Sequence, residues 1–423
     1  MMQLIFHGGA REVGRSCIEI STDSKRLLLD CGLKLTEQDT EYPVGFDHVH
    51  DIDAVFISHA HLDHTGALPL LDHKGMDCPI FATRSTKQLT RVLLKDAFKI
   101  GRITHQHLEY DEMDIRNVLG CMSRVRVDRV GDLDGVSYRY FDAGHIPGSA
   151  SVYVDVEGTR ILYTGDINNT ETRLHSAAET GFPEVDVMIC ETTYGDRDHP
   201  SRQRTEDEFL DEVEKTVKSG GSAIIPVFAV GRSQEILMVL ARRKFTVPVY
   251  FDGMGVEVTD LALANPEDIK DAKSLGAALK KVKLVRKDSD RMAAIKKQSI
   301  IVTTSGMLTG GPVLHYLKYM VSGARNAILL TGYQAEYTNG RLLLDRKQIF
   351  IDGVKRDVQC RVRQFDFSAH AGMSQLKELV RGVRPKKVFF VHGEEPSVLS
   401  MHEWASAMGM ESYAPKLGDI IEI

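Results

Sequence analysis

The chain has 423 residues, of which 43% are hydrophobic and 26% charged. This composition predicts a globular protein with a large core and excludes a small disulfide-stapled scaffold or a disordered chain. Its 53 Lys and Arg residues face 59 Asp and Glu residues, and the formal charge of −6 excludes a generally basic nucleic-acid coat protein.

The N-terminus opens directly on a strand-like segment, residues 3–6. We find no leader pattern before it and no apolar run long enough to span a membrane, so we expect a cytoplasmic protein without a membrane segment. The first half of the chain is then predicted to be rich in β-strands. Short apolar runs separated by turns occupy residues 26–29, 54–57, 151–156, 160–163 and 185–190.

From residue 205 the pattern changes to alternating helices and strands. Thr205 and Glu208 have the spacing of a capping box, which predicts the start of a helix. Strand-like segments alternate with helical ones from there on, which is typical of a parallel, doubly wound sheet. The strand-like segments are residues 223–225, 247–251, 300–303 and 327–330.

After about residue 346 the strand-rich pattern returns. A helix is predicted from Ser374 to Arg381, with Gly382 placed to end it, and a buried strand follows at residues 388–391. We find no linker and no internal repeat between the blocks, which favours one domain inserted into another. The predicted division is residues 1–195 for the first part of one domain, 196–345 for the inserted domain and 346–423 for the return to the first.

The cysteines form no recognisable metal or disulfide pattern. Six are present, scattered along the chain without a CxxC pair. We therefore expect them in the core, and look for metal ligands among the histidines and carboxylates.

The densest group of such ligands directly follows the apolar run 54–57. Residues 58–64 are Ser-His-Ala-His-Leu-Asp-His, so four ligand types fall within six positions. In an extended or turn segment His59 and His61 point the same way. A tight bend after them would direct Asp63 and His64 to a second centre, and this spacing suits a site for two metal ions.

This run resembles the His-x-His-x-Asp-His signature of the metallo-β-lactamase superfamily. Asp30 at the end of Leu-Leu-Leu-Asp, His145 in Gly-His-Ile-Pro-Gly-Ser and Asp166 in Tyr-Thr-Gly-Asp match further motifs of that superfamily. The resemblance implies that Asp30 supports the metal site from behind, that His145 is a ligand, and that Asp166 bridges two metals.

The resemblance narrows to the β-CASP branch of nucleases and covers nearly the whole chain. Glu191, His370 and His392 match the acidic motif and the two histidine motifs of that branch, and residues 226–235 and 305–311 resemble segments of its RNA-processing members. Within that branch the chain resembles the short archaeal homologues of the polyadenylation-factor (CPSF) endonuclease that lack KH domains. The implied fold is an αββα metallo-β-lactamase domain with an inserted doubly wound α/β β-CASP domain.

The resemblance also implies two Zn²⁺ ions. One would be held by His59, His61, His145 and Asp166, and the other by Asp63, His64, Asp166 and His392. Asp63 would then serve in catalysis, with His370 as a proton donor and Glu191 holding its other ring nitrogen. Imidazole and carboxylate ligands suit zinc, although the same spacing accommodates manganese or iron.

Candidates for binding substrate phosphates are less sharply defined. Ser305 and Gly306 offer backbone N–H groups, and Ser368 and Arg232 lie in matching family segments. An ordinary strand-end turn also explains Ser305 and Gly306, and a salt bridge between domains also explains Arg232. The run 280–297 holds eight basic residues and is either an electrostatic footprint for RNA or a solvated helix face.

The implied function is a zinc-dependent ribonuclease acting on single-stranded RNA in RNA processing or decay, as an endonuclease, a 5′-to-3′ exonuclease or both. One alternative is a DNA nuclease of the crosslink-repair type, against which His392 argues because that branch typically has valine there. The others are a small-ester hydrolase and a catalytically silent RNA-binding pseudonuclease subunit. The resemblance also allows a homodimer.

His105 and His107 alternate like a ligand pair, but we expect them to be surface residues.

Overall fold

The structure is a computed structural model and describes residues 1–36, 39–104, 106 and 108–423. His105 and His107 lie outside the described residues. The chain divides into two compact units. The first comprises residues 1–171, 177–198 and 369–423, and the second comprises residues 172–176 and 199–368. No helix among the described residues is both long and apolar enough to cross a membrane.

The first unit begins with thirteen strands within the described residues. They are β1 Gln3–Gly8, β2 Cys17–Ser21, β3 Arg26–Leu29, β4 Lys34–Leu35, β5 Thr40–Glu41, β6 Ala54–Phe56, β7 Ile80–Ala82, β8 Met122–Arg124, β9 Val130–Leu133, β10 Val136–Asp142, β11 Ala150–Val156, β12 Thr159–Tyr163 and β13 Val187–Glu191. The helices of this stretch are α1 Leu62–Thr65, α2 Pro69–His73, α3 Arg84–Thr104 and α4 Glu112–Cys121, with a 3₁₀ turn at Phe46–His48.

The second unit alternates helices and strands. Its helices are α5 Arg202–Lys218, α6 Arg232–Leu240, α7 Gly255–Ala264, α8 Ala272–Leu279, α9 Asp288–Lys296, α10 Pro312–Met320 and α11 Asn339–Arg346, with a 3₁₀ turn at Pro266–Asp268. Its strands are β14 Ala223–Pro226, β15 Val249–Asp252, β16 Lys283–Leu284, β17 Ile300–Thr303, β18 Ala327–Leu330, β19 Gln348–Ile351, β20 Val354–Asp357 and β21 Arg361–Gln364. The chain then completes the first unit with α12 Met373–Val383, β22 Lys387–Val391, α13 Glu395–Ala407, β23 Glu411–Tyr413 and β24 Ile420–Glu422.

Two mixed sheets form the centre of the first unit. In the described residues each has seven strands, in the orders β24-β1-β2-β3-β6-β7-β8 and β23-β22-β13-β12-β11-β10-β9. Side chains from both sheets, among them Phe6, Phe56, Tyr163 and Phe389, pack together in one core. Helices α2, α3 and α4 cover the outer face of one sheet, and α12 and α13 cover that of the other. The predicted αββα layering is confirmed.

The second unit is built on a parallel sheet with strand order β16-β15-β17-β14-β18-β21. Every pairing in it is parallel, and strands such as β14 and β17 are buried along their whole length, as expected where helices cover both faces. One face packs against α5 and α6 and the other against α10. The predicted doubly wound α/β insertion is confirmed.

Two helix ends differ from the sequence prediction. Helix α5 begins at Arg202 rather than Thr205, whose N–H already donates to the carbonyl of Ser201 at 3.0 Å, so the capping-box spacing lies inside the helix. Helix α12 continues through Gly382 and ends before Arg384, which adopts a left-handed φ of 53°. The residue that follows it, Pro385, cannot extend a helix because it lacks an N–H.

The second unit extends past residue 345, where the sequence division places its end. Strand β21 pairs in parallel with β18, and this pairing keeps the chain in the second unit as far as Ser368. The unit also includes the short segment 172–176. The backbone N–H groups of Arg173 and Leu174 there donate to the buried carboxylate of Glu235, at 3.1 and 2.8 Å, and Arg202 donates to it at 2.6 Å.

Replacement of Glu235 tests whether this carboxylate stabilises the second unit. Burial would raise the pKa of Glu235, but the charge of Arg202 outweighs burial and lowers it below 4.5. We expect Glu235→Gln to lose about 3 kcal/mol of unfolding free energy near neutral pH, because it removes the nearer of the two carboxylates that face Arg202 and turns an amide donor towards a backbone donor. The loss should disappear as the pH falls below the ordinary glutamate range, where the wild-type carboxyl is also neutral.

The matched control is Glu208→Gln, which removes an exposed partner of Arg204 on helix α5. We expect that change to stay within about 0.5 kcal/mol of wild type. Urea titrations of the three proteins provide the measurement. Equal midpoints for Glu235→Gln and Glu208→Gln would contradict the assignment.

Candidate metal centre

The strand order brings five candidate residues to the carboxyl ends of neighbouring parallel strands. Asp30 follows β3 and His59 follows β6, which pair in parallel in the first sheet. Asp166 follows β12, Glu191 ends β13 and His392 follows β22, and these three strands are parallel neighbours in the second sheet. Carboxyl ends of adjacent parallel strands meet at one edge of a sheet, so each sheet delivers its polar residues together.

His59, His61, His145 and Asp166 form the first group of donor atoms, all within 4.8 Å of one another. His61 Nδ1 lies 3.1 Å from His59 Nε2 and 3.3 Å from His145 Nε2. Asp166 Oδ2 lies 3.4 Å from His59 Nε2 and 3.6 Å from His145 Nε2. Three imidazoles and one carboxylate oxygen thus converge on one point.

Asp63, His64 and His392 form a second group with the same convergence. His64 Nε2 lies 3.3 Å from His392 Nε2, which in turn lies 3.4 Å from Asp63 Oδ2. Asp166 also faces this group, because its Oδ1 lies 3.4 Å from His64 Nε2 and 3.1 Å from His392 Nδ1. The two oxygens of Asp166 are therefore turned to different groups.

The chemistry of these donors fits divalent metal ions. Asp166 Oδ1 is buried and accepts no hydrogen bond from the described residues, although such a carboxylate oxygen ordinarily has a partner. Burial and the charges of neighbouring imidazoles hold the pKa values of His59 and His145 well below 6.5, so these rings are neutral and can act as ligands. Nitrogen and oxygen donors in this proportion suit zinc.

Asp30 links the two sheets of the first unit. Its side chain is fully buried and accepts four hydrogen bonds, each 2.7 Å long, from His64 Nδ1, Ser58 N, Ser58 Oγ and Tyr163 Oη. The bond from His64 Nδ1 leaves the other ring nitrogen, Nε2, to face His392 and Asp166. Fixing the tautomer and direction of a ligand ring in this way is typical of metal sites.

Glu191 and His370 form an ion pair beside the first group. His370 Nδ1 lies 3.0 Å from Glu191 Oε1, and Nε2 lies 4.0 Å from Asp166 Oδ2. Burial would lower the pKa of His370, but the carboxylates of Glu191 and Asp166 outweigh burial and raise it to about 9. The backbone N–H groups of Ile167 and Thr193 donate to Glu191 at 2.7 and 3.2 Å, which fixes its orientation.

Several supporting contacts were missed by sequence reasoning. Tyr163 Oη binds Asp30, Thr193 Oγ1 lies 3.2 Å from His392 Nδ1, and His145 Nδ1 donates to the carbonyl of Ala369 at 2.7 Å. Tyr163 carried a usable signal, since a tyrosine in a buried strand needs a partner for its hydroxyl. A backbone carbonyl such as that of Ala369 leaves no trace in the sequence.

Gly165 shows why the turn before Asp166 needs glycine. Its φ is 55°, and a Cβ atom there would lie 2.6 Å from Ser58 Cβ. Both the left-handed conformation and the close approach of Ser58 exclude a larger residue without a shift of the chain.

The candidate phosphate contacts lie in the second unit. Ser305 and Gly306 follow β17, and Arg232 opens α6 after the neighbouring strand β14. A Cβ atom on Gly306 would lie 3.0 Å from the backbone nitrogen of Phe228, so the two strand-end turns are in close contact. The Ser368 N–H donates to Asp366 at 2.9 Å, and the Ser368 carbonyl accepts from Arg202 at 3.2 Å.

The basic run at residues 280–297 is divided among several elements. It begins directly after α8 and includes strand β16 and helix α9. Within it Arg291 donates to Asp252 at 2.7 and 3.1 Å and to Asp288 at 2.7 Å. At least this residue is engaged in local ion pairs.

A buried His and Asp cluster at the strand ends of an αββα sandwich is typical of a metal-dependent hydrolase.

Three family models match the chain in the same order as its structural blocks. The Metallo-beta-lactamase superfamily domain matches residues 19–186, the Beta-Casp domain residues 233–343, and the Zn-dependent metallo-hydrolase RNA specificity domain residues 355–415.

Curated relatives align over essentially the whole chain. A protein named Probable RNase MJ4 from Methanocaldococcus jannaschii is 43% identical over 431 residues, covering 100% of both chains. RNase aCSPSF2 from Saccharolobus solfataricus is 36% identical, covering 98% of this chain and 84% of its own. Transcription termination factor FttA from M. jannaschii is 34% identical, covering 100% of this chain and 72% of its own.

The chain therefore belongs to the β-CASP branch of the metallo-β-lactamase superfamily. Among solved structures, a protein of unknown function from Enterococcus faecalis V583 matches with a TM-score of 0.60 and 13% identity over 100% of both chains. At that identity the match supports the fold alone.

Replacement of Asp30 tests the support of the metal cluster. Asp30→Asn keeps the shape of the side chain but cannot accept all four hydrogen bonds, so His64 loses its fixed orientation. We expect the affinity for zinc to fall about 10- to 100-fold, measured by competition with a chromophoric chelator.

Tyr163→Phe is the matched control, because it removes only one of the four donors to Asp30. We expect a smaller loss of affinity for this variant. Equal zinc affinity for Asp30→Asn and wild type, with both proteins folded by circular dichroism, would contradict the supporting role of Asp30.

Proposed function

We propose that the protein is a ribonuclease that hydrolyses phosphodiester bonds of single-stranded RNA with two zinc ions. The observation that carries the proposal is the sharing of Asp166 between two groups of donors beside the Glu191–His370 pair. Two ions beside one carboxylate, next to a protonated histidine, would suit the hydrolysis of a phosphodiester. Endonucleolytic and 5′-to-3′ exonucleolytic action both remain within the proposal.

In this proposal each ion has its own ligands. His59, His61, His145 and Asp166 would hold one, and Asp63, His64, His392 and Asp166 would hold the other. When bound, the two ions would activate a water molecule as nucleophile and offset the charge of the scissile phosphate. Asp63, whose pKa the charges of His64 and His392 lower despite burial, stays ionised to complete the second group.

The chain's own acid is His370. Attack of water forms one P–O bond and breaks another, and the departing ribose oxygen needs a proton. With its pKa raised to about 9, His370 carries that proton near neutral pH. Glu191 binds Nδ1, so Nε2 is the atom that donates, and it faces Asp166 at 4.0 Å.

The proposed partner is single-stranded RNA. One matching family model is described as an RNA specificity domain, and two of the relatives are named as RNases. Ser305, Gly306, Arg232 and Ser368 are the proposed phosphate contacts, supported by the place of the first three at the carboxyl edge of a parallel sheet. A homodimer and a cytoplasmic location belong to the proposal on the family resemblance alone.

Digestion of one single-stranded RNA, labelled separately at its 5′ and 3′ ends, tests the proposal. Wild-type protein, Asp63→Ala and His370→Ala are compared, with the zinc content of each determined by mass spectrometry. We expect Asp63→Ala to lose both cleavage and zinc. His370→Ala should lose about 10²- to 10⁴-fold in cleavage rate while keeping its zinc, because it removes a proton donor and no ligand.

The products distinguish the modes of action. Internal fragments indicate an endonuclease, and early release of the labelled 5′ nucleotide indicates an exonuclease. Loss of zinc from His370→Ala would overturn its assignment as the acid. Cleavage of DNA but not RNA by the zinc-loaded wild type, or of neither, would overturn the proposed function.

A further inference from the structure

Helix α3 carries an exposed row of cations that the metal centre does not use. Its 21 residues include six basic residues and one acidic residue, Asp96, in a chain whose net charge is −6. The basic residues recur every three or four positions, which places them on one face of the helix. We call Arg84, Lys87, Arg91, Lys95, Lys99 and Arg102 the α3 stripe. All but the half-buried Lys87 are exposed.

The opposite face of α3 is apolar and packs into the first unit, with Leu89, Leu93 and Leu94 buried. The helix is thus held firmly while the stripe faces outward. From Arg84 to Arg102 the stripe extends about 27 Å along the helix axis.

The stripe differs from the charged faces of helices α5 and α11 in lacking carboxylate partners. On α5 and α11, exposed basic residues pair with a carboxylate four positions away, as Arg204 does with Glu208 and Arg341 with Asp345. In the part of the chain that the structure describes, the side chains of Arg91 and Lys95 form no ion pair or hydrogen bond, and the same holds for the side chains of the other exposed members of the stripe. An unneutralised row of this kind attracts a polyanion.

One end of the stripe is attached to the loop that carries a metal ligand. Thr83 Oγ1 and Thr86 Oγ1, at the start of α3, both donate to the carbonyl of Gly148, at 2.7 and 2.9 Å. Gly148 lies three residues after His145 in that loop. The start of α3 is therefore hydrogen-bonded to the loop that carries His145.

The far end of the stripe borders an open surface pocket of about 510 Å³ that is lined by both charged and apolar residues. Lys95, Lys99 and Arg102 supply its cations, and Phe98 lies among its apolar residues, Ile103 and Ile115. Glu112 is the acidic residue of this wall. Cations beside an aromatic ring are the combination that binds single-stranded nucleic acid, whose phosphates take the charges while a base stacks on the ring.

We propose that the α3 stripe binds the sugar–phosphate backbone of the RNA strand beyond the bond that is cleaved. This inference rests on the proposed function for its ligand, but it assigns a separate binding surface within the first unit. Its contacts are to phosphates, so binding there is independent of sequence and strongly dependent on salt.

Salt-dependent binding of RNA tests the proposal. The stripe variant Arg91→Gln/Lys95→Gln/Lys99→Gln is made in the His370→Ala protein, which we expect to keep its zinc, so that binding is measured without appreciable cleavage. Glutamine preserves helix propensity at these exposed positions. The affinity for a labelled single-stranded RNA longer than the stripe is measured by fluorescence anisotropy from about 50 mM to 200 mM salt.

Each phosphate contact to a single strand contributes about −0.7 to the slope of log K against log salt, so we expect three lost contacts to reduce the slope by about 2. A short RNA that occupies only the metal centre should bind the stripe variant and its parent equally. The charge-matched control is Arg204→Gln/Lys218→Gln/Arg341→Gln, which removes three paired cations from the second unit. It should leave the slope unchanged.

Equal slopes for the stripe variant and its parent would overturn the proposal, as would equal losses for the stripe and control variants. Loss of binding to polyglutamate but not to RNA would also overturn it, in favour of an acidic protein partner. The proposed function fails separately. RNA that binds through the stripe but is never cleaved by zinc-loaded wild type would support the stripe and contradict the nuclease.

Discussion

The buried carboxylate of Asp30 is the contact on which the arrangement of the metal centre depends. It lies at the end of β3 with a left-handed φ of 59° and accepts four hydrogen bonds from groups that come from three other parts of the first unit. A buried carboxylate is tolerated only when its oxygens are satisfied. Satisfying Asp30 at the same time fixes the ring of His64 and joins the ends of β3, β6 and β12.

In the second sheet, too, residues of the metal centre lie at the ends of neighbouring strands. Asp166, Glu191 and His392 come from three parallel strands that lie side by side, so register alone brings them together. Asp166 then turns one oxygen to each group of histidines, while Glu191 holds His370 at the border of the first group. The placement of Asp166, Glu191 and His392 is thus a consequence of strand order, whereas Asp63 and His64 lie on the short helix α1.

The sequence predicted the layers and the ligand candidates because both leave local signals. The run from His59 to His64 is dense enough to recognise alone, and motif matches supplied Asp166, Glu191 and His370. Contacts across the chain left weaker signals or none, as with the carbonyl of Ala369 that orients His145. Sequence reasoning did not identify the α3 stripe, because the stripe is distinguished by basic side chains that have no carboxylate partner among the described residues. The fold, and not the local sequence, decides which side chains pair. The capping-box spacing at Thr205 misled for a similar reason, since helix α5 already begins at Arg202.

The central proposal is that two metal ions would be held by the two groups of donors on either side of Asp166. Anomalous diffraction at the zinc absorption edge, on crystals of zinc-loaded protein, tests it most directly. The account predicts two peaks, one among His59, His61 and His145 and one among Asp63, His64 and His392, with Asp166 beside both. A single peak, or a second peak away from these residues, would contradict it.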